Sequence, residues 1–209
     1  MTDSFQPQDF DDWAETYDQS VSDWQTFPFT GYKDVLKTIV AWAEARRGMR
    51  VLDLGTGTGN LAVRFAALGC ELWCTDFSFA MLEKARAKLP EAHFVTADLR
   101  GEWPAELAGR FDRIVSAYVF HHFALDEKIH LIKSLVTRHL SPHGRLVIGD
   151  ISFQNRDDLD SVKAATGNEW EDEFYWLADE SLSALKRAGL QADYRQISFC
   201  AGMFKIPMQ

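Results

Sequence analysis

The stretch Val51-Leu52-Asp53-Leu54-Gly55-Thr56-Gly57-Thr58-Gly59 constrains this chain more than any other. Residues 50–54, RVLDL, read as a short buried strand, and three alternate glycines follow at once. Glycine lets the backbone turn sharply and lets a ligand approach with no Cβ in the way. Residues 61–68 then read as a helix, which offers its free N–H groups to polar ligand atoms. The spacing is G-x-G-x-G, and Asn60 stands where a dinucleotide fingerprint, G-x-G-x-x-G, wants glycine or alanine. A strand, a glycine turn and a helix make the start of a crossover unit, so the rest of the chain is expected to continue in the same rhythm.

It does. Strands are expected at 71–75, 93–97, 111–116 and 145–149. Helices are expected at 32–46, from Ser78 as N-cap to about Leu89, at 126–139 and at 180–188. Ser141-Pro142-His143-Gly144 reads as a turn. Strands separated by helices imply a parallel sheet covered on both faces. Residues 191–198 and 199–207 read as two strands with almost nothing between them, which favours an antiparallel hairpin at one edge. Before this frame lies an aromatic, acidic segment with Phe10, Trp13, Tyr17, Trp24, Phe27 and Phe29, where Asp9 can cap a short helix through Tyr17. With no repeat and no linker, the chain reads as one domain: 1–48 a helical lid, 49–150 the cofactor-binding core, 151–209 cap helices and a hairpin.

Acids fall at the carboxyl ends of the strands, where open α/β sheets bind ligands. Asp76 lies 21 residues after Gly55 and can accept both hydroxyls of a ribose; Asp98 ends the third strand and can accept from an adenine amino group. Asp53 sits inside the first strand. Each alone reads equally well as a cap or a solvated loop acid, but three placed after successive strands point to a site.

The composition narrows the partners. With 22 Lys and Arg against 31 Asp and Glu, the formal net charge is −9. Nucleic-acid binding through phosphates needs a basic surface, so nucleic acid is not expected as a partner. No window approaches the roughly 20 apolar residues that span a bilayer, and the first residues do not form a signal peptide. A cytoplasmic protein without a membrane partner is expected. Cys70, Cys74 and Cys200 carry no disulfide framework; small buried thiols are the expected reading.

VLDLGTGTG, TDFS, TADL, Val115-Ser116-Ala117-Tyr118-Val119-Phe120-His121-His122 and Leu140-Ser141-Pro142-His143-Gly144-Arg145-Leu146 resemble five successive motifs of the class I methyltransferases. The segments Asp12-Trp13-Ala14-Glu15-Thr16-Tyr17-Asp18, Gly31-Tyr32 and Phe120-His121-His122 resemble the uncharacterised YrrT-like bacterial methyltransferases. The resemblance implies a three-layer Rossmann-like α/β fold, with a seven-stranded, mostly parallel sheet whose last strand is antiparallel. It implies S-adenosylmethionine as cofactor and S-adenosylhomocysteine as product. Gly55, Gly57 and Gly59 would pack against the methionine part and Asp76 hold the ribose, with Asp53 and Thr56 also among the cofactor-binding residues. Asp98 would take the adenine, with Phe77 and Leu99 flanking the base. Ser116 and Ala117 would lie along the cofactor, and Tyr17 would close over it.

Methyl transfer from a sulfonium needs alignment and exclusion of water more than a fixed base. A base is needed only where the acceptor must first lose a proton. His121 and His122 face the expected acceptor side, and with Tyr17 they are the candidate catalytic residues; a structural role for both histidines is the competing reading. No metal is expected, because no third ligand stands at a familiar spacing. Trp170, Phe174, Tyr175 and Trp176, interleaved with acids, read either as a cap helix or as a cage for a cationic acceptor. The expected acceptor is a small molecule, and the protein a monomer or homodimer. A catalytically silent cofactor-binding module and a NAD-dependent oxidoreductase are the alternatives.

Overall fold

The computed structural model describes residues 7–22 and 26–208; Trp24 lies outside the described residues. Its centre is a sheet in the order β3-β2-β1-β4-β5-β8-β7. The strands are β1 (Arg50–Leu54), β2 (Glu71–Asp76), β3 (His93–Thr96), β4 (Phe111–Ala117), β5 (Leu140–Phe153), β7 (Asp193–Gln196) and β8 (Ala201–Pro207). A two-residue β6 (Trp176–Leu177) pairs with the far end of β5. The first five run parallel, β8 runs antiparallel to β5, and β7 antiparallel to β8. The expected sheet with its antiparallel C-terminal strand is therefore present. Because β8 pairs with β5 from Arg145↔Pro207 to Ile151↔Ala201, segments 49–150 and 151–209 share one sheet.

Side chains alternate across this sheet, and both faces are buried. Val51, Val115 and Val147 join the cluster beneath α3 (Tyr32–Ala43), while Leu52, Ile114, Leu146 and Ile148 join the opposite one with Trp176 and Phe204. Helix α3 presses on β5 so closely that a Cβ on Gly149 would stand 2.5 Å from Val35 Cγ1. The other helices are α1 (Pro7–Trp13), α2 (Tyr17–Ser22), α4 (Ala62–Ala66), α5 (Phe79–Lys88), α6 (Leu125–Ser134), α7 (Arg156–Thr166) and α8 (Ala178–Arg187). Ser78 caps α5 as expected, its Oγ accepting the Met81 N–H at 3.1 Å. None of the described helices is long and apolar enough to cross a membrane.

Four expectations need correction. The N-terminal helix does not run from Asp9 through Tyr17. It ends at Trp13, a turn in which Thr16 N–H donates to Trp13 O intervenes, and Tyr17 opens a second helix. The segment 141–144 is not a turn before a strand but an irregularity within β5, where the register against β4 shifts between Phe111 and Arg113. The helix expected to reach His139 ends as an α-helix at Ser134, and residues 135–139 wind as a π-helix. Residues 170–175 take no regular structure rather than forming a cap helix. There the Phe174 N–H donates to the His121 carbonyl at 3.0 Å and the Phe174 carbonyl accepts from Lys128 Nζ, so tertiary partners replace the bonds of a helix.

Candidate active site

Strand order reverses between β1 and β4, and there the carboxyl ends of the strands leave a crevice. A cavity of about 330 Å³ occupies it, within the range of small-ligand sites. Gly55 and Gly57, Asp76 and Phe77, the segment 97–100 and the segment 117–119 form its walls. Asp9, Phe10 and Trp13 of α1 and Tyr17 of α2 line it from the N-terminal side. His121, His122, Phe123, Ile151, Glu171 and Glu173 complete the lining, and Phe10 packs edge-on to both Phe77 and His122, at 5.0 and 5.6 Å.

The first end is built from the backbone. Gly55 holds φ at 64°, and a Cβ there would stand 2.2 Å from Val119 Cγ2, so both conformation and space require glycine. Gly57 is open, with nothing within 4 Å of where a Cβ would be. Its N–H donates to Asp76 Oδ2 at 2.8 Å, while the Ser78 N–H donates to Oδ1 at 2.9 Å. Burial still outweighs these donors and pushes the Asp76 carboxyl up to about 6. Asp53, expected at the cofactor, is buried more deeply and does not line the cavity. Burial, and then the charge of Asp76, raise it to about 8, and its Oδ2 has no hydrogen-bond partner among the described residues.

Other expected cofactor residues take different places. Thr56 Oγ1 donates to the Asp53 carbonyl at 3.0 Å and Ser116 Oγ to the Leu54 carbonyl at 2.9 Å. Both are buried and neither lines the cavity; they brace the loop and the strand end. Gly59 lies against Ala85 of α5 rather than in the cavity wall. Asp98 is exposed at the wall, its Oδ1 accepting the Arg100 N–H at 2.9 Å. Phe77 and Leu99 flank that wall, as does Ala117 on the β4 side.

The roof is fastened by acids. Asp11 Oδ1 accepts from Ser78 Oγ at 2.5 Å and from the Ala80 N–H at 3.2 Å. Asp18 accepts from Thr58 Oγ1 at 2.5 Å, Asn60 Nδ2 at 2.9 Å and Lys88 Nζ at 2.6 Å. These bonds lower the Asp18 carboxyl although partial burial works to raise it. Tyr17 reaches under this roof; burial, and then its neighbour Tyr32, push its phenol well above the ordinary range, so it is neutral near pH 7.

The second end is built from side chains. After β4 the chain makes a tight turn through Tyr118, whose φ is 58°, into a single 3₁₀ turn, Phe120–His122. His121 Nδ1 lies 2.5 Å from Asp150 Oδ1, and the His121 N–H donates to Asp150 Oδ2 at 2.8 Å. Trp176 Nε1 donates to the same oxygen at 3.0 Å. Burial works to lower the His121 imidazole, and the Asp150 carboxylate outweighs it, so the ring is raised overall. Burial and the neighbouring His121 lower His122. Glu173 stands between the two rings, with Oε2 3.8 Å from His121 Nε2 and Oε1 3.3 Å from His122 Nδ1.

Adjacent histidines in an extended strand would point apart; in the tight turn both line the cavity. The aromatic cage does not form: Phe27 stacks on Trp170 at 4.9 Å and Tyr175 packs edge-on to both, away from the cavity lining. Asp150, Glu173 and the roof acids Asp11 and Asp18 are candidate site residues to which the sequence reading gave no individual role. Asp150 carried a usable signal, because it ends the run RLVIGD as Asp76 ends ELWCTD. Cys74 and Cys200 are buried free thiols and Cys70 is half-buried, in line with the burial reading.

The sequence comparisons agree with this geometry. Residues 51–144 match a family described as a methyltransferase domain. An uncharacterized methyltransferase of Bacillus licheniformis is 34% identical over 174 residues, covering 82% of this chain and 78% of that protein. One of Bacillus velezensis is 35% identical over 176 residues, with the same coverage. Among solved structures, magnesium protoporphyrin IX methyltransferase from Synechocystis with bound SAH is similar at a TM-score of 0.73, covering 98% of this chain and 100% of that one. At 18% identity, that likeness is one of fold. With the relatives' identity and coverage, and the reversed sheet order carrying a glycine loop at its switch point, the chain belongs to the class I, Rossmann-like methyltransferases.

Proposed function

We propose that this protein transfers a methyl group from S-adenosylmethionine to a small-molecule acceptor, with the cofactor at the glycine-loop end of the cavity and the acceptor at the histidine end. The observation that carries the reading is one cavity lined both by nucleoside-type groups, Gly57 and Asp76, and by a polar cluster, His121, His122 and Glu173.

The residues fit the cofactor. Asp76 keeps acceptor capacity beyond its two backbone bonds, which suits a pair of ribose hydroxyls. Phe77 and Leu99 offer apolar surface to a base, and the space over Gly57 admits close approach of a ligand. Asp53 lies behind the loop, buried and outside the cavity lining, and its part is to support the turn that Gly55 and Gly57 make. Bound there, the cofactor supplies an activated methyl on a sulfonium whose departing thioether is neutral. The chain's own part is to orient and to exclude water. The roof of residues 7–22 acts as the lid, with Tyr17 beneath it, and Ala117 lines the passage between the two ends.

At the acceptor end, Asp150 occupies the Nδ1 side of His121 and so leaves Nε2 toward Glu173 and the acceptor. His122 flanks it. A small acceptor is favoured because the roof covers the cavity and because the net charge of −9 suits neutral or cationic partners rather than polyanions. The test is a screen of small hydroxyl, amine and thiol compounds, with nucleic acid and protein in parallel, following S-adenosylhomocysteine formation. Turnover with a small molecule, lost in His121→Ala while S-adenosylhomocysteine still binds, supports the reading. Turnover confined to nucleic acid or protein contradicts it. Tight binding of the cofactor with no turnover on any class makes the protein a silent binding module.

A further inference from the structure

We propose that His121, His122 and Glu173 hold one divalent transition-metal ion of the zinc class at the acceptor end of the cavity. The site itself stands on side-chain geometry; the role given to it below rests on the proposed placement of the acceptor.

Two imidazoles and one carboxylate, from two segments far apart in the chain, bring three donor atoms within 4.8 Å of one another. An ion with bonds of about 2.0–2.2 Å needs donors about 3.3–3.6 Å apart in a tetrahedral shell. His122 Nδ1 and Glu173 Oε1 already have that spacing, at 3.3 Å. His121 Nε2 and Glu173 Oε2, at 3.8 Å, are too far apart for a direct hydrogen bond, and the three donors, now spread over as much as 4.8 Å, would draw together around a shared ion. Glu173 lies 51 residues beyond His122. That separation is why the spacing of residues in sequence offered no third ligand.

The surroundings match those of a ligating histidine. Such a ring gives its other nitrogen to a carboxylate, which fixes its orientation and strengthens it as a donor. Asp150 does this for His121 at 2.5 Å, and is itself held by Trp176 Nε1 and by the His121 and Ile151 N–H groups. The Phe174 N–H bond to the His121 carbonyl ties the segment bearing Glu173 to the histidine turn. All three donors line the cavity, so a fourth position faces it.

The donor set selects the metal class. Imidazole with carboxylate and no thiolate suits zinc, iron, cobalt or manganese, whereas magnesium and calcium prefer all-oxygen sites. Lys128, a buried cation whose Nζ donates to the Phe174 carbonyl, adds positive charge nearby. That favours an ion bound through strong metal–nitrogen bonds over one held by charge alone. An ion there would hold an oxygen or nitrogen of the acceptor in its open position and so fix its direction toward the methyl group.

The test uses the full chain, stripped with a chelator and titrated with zinc by calorimetry, with cobalt as a spectroscopic probe in a second titration. The expected result is one ion per chain and a visible cobalt spectrum of low-symmetry, four- or five-coordinate type. Asp150→Asn should weaken zinc about 10–100-fold, and Glu173→Gln and His122→Ala by more. Glu173→Gln is the variant safest for folding, and a thermal melt of each variant confirms a folded chain. No uptake by the wild type overturns the proposal. Uptake undiminished in folded Glu173→Gln also overturns it, since the ion then sits elsewhere. A parallel titration with S-adenosylhomocysteine separates the two readings: zinc without nucleoside binding leaves the metal site standing and removes the proposed function, and nucleoside without zinc does the reverse.

Discussion

The two ends of the cavity are made in different ways. The glycine-loop end comes from consecutive strand ends within one short span, and its polar atoms are mostly backbone N–H groups and acids that follow strands. The histidine end is made of side chains from the turn after β4, the end of β5 and the irregular segment before β6. A backbone-built end serves one ligand across many sequences, because glycine and a terminal acid are nearly all it needs. A side-chain-built end can be altered residue by residue without disturbing the first. The arrangement teaches where common chemistry and particular chemistry sit in this molecule.

The sharpest way to break that comparison is to alter one end and measure both. Replacing His121 by Ala should lower methyl transfer by about 100-fold or more, the scale of an acceptor-activating group, with S-adenosylhomocysteine affinity nearly unchanged. Steady-state kinetics beside calorimetry would show it. A parallel loss of nucleoside affinity would mean the ends are not independent.

The converse change is Asp76→Asn. Losing a charged acceptor of two hydroxyls should weaken S-adenosylhomocysteine by about 10–100-fold, from about 1.5–3 kcal/mol per charged hydrogen bond lost or weakened. Zinc uptake at the other end should stay as in the wild type. Zinc weakened in step would contradict the division.

A third effect needs no mutation. Asp76, raised to about 6 by burial, lies near the buried Asp53 of β1 and feels Asp11 from α1. Its carboxylate must be charged to accept ribose hydroxyls, so nucleoside affinity should fall about tenfold per pH unit below about 6. The stability of the ligand-free protein moves the other way. A carboxyl raised in the fold contributes stability below the unfolded value of 3.8, and that contribution is lost as pH rises through about 6. Affinity that is flat from pH 7 to pH 5 would remove Asp76 from the ribose.

The smallest expected effect is on the loop itself. Gly55→Ala must place a Cβ at positive φ against Val119, at a cost of about 1–3 kcal/mol. For a chain of this size each kcal/mol lowers the melting temperature by about 2–4 °C. The nucleoside should protect this variant less than the wild type. Equal stability and equal protection would show that the loop does not need its left-handed turn.

What could be read from the sequence follows the same division. The strand, glycine loop and helix, and the acids after β2 and β3, are local patterns, and the structure brings Gly55, Gly57, Asp76 and Asp98 to one cavity. Thr56 and Ser116 were misplaced because adjacency in sequence does not say which side of a strand end a hydroxyl faces; each found a backbone carbonyl instead. Glu173 was out of reach because its segment looked helical by its aromatics, while tertiary bonds to Phe174 hold it in an irregular course. The break between Trp13 and Tyr17 was hidden in the same way, because Asp11 and Asp18 are fixed by partners on α5 and the glycine loop that no local pattern reveals.

The most direct test of the central claim is thermal unfolding of the purified protein with and without S-adenosylhomocysteine. At a hundred times its dissociation constant the nucleoside should add about 2.7 kcal/mol. That corresponds to a rise of about 5–11 °C for a chain of this size. The account predicts that rise for the wild type and for His121→Ala, and a much smaller one for Asp76→Asn at the same nucleoside concentration. No rise in the wild type, or an equal rise in Asp76→Asn, would contradict the placement of the cofactor on which the whole account depends.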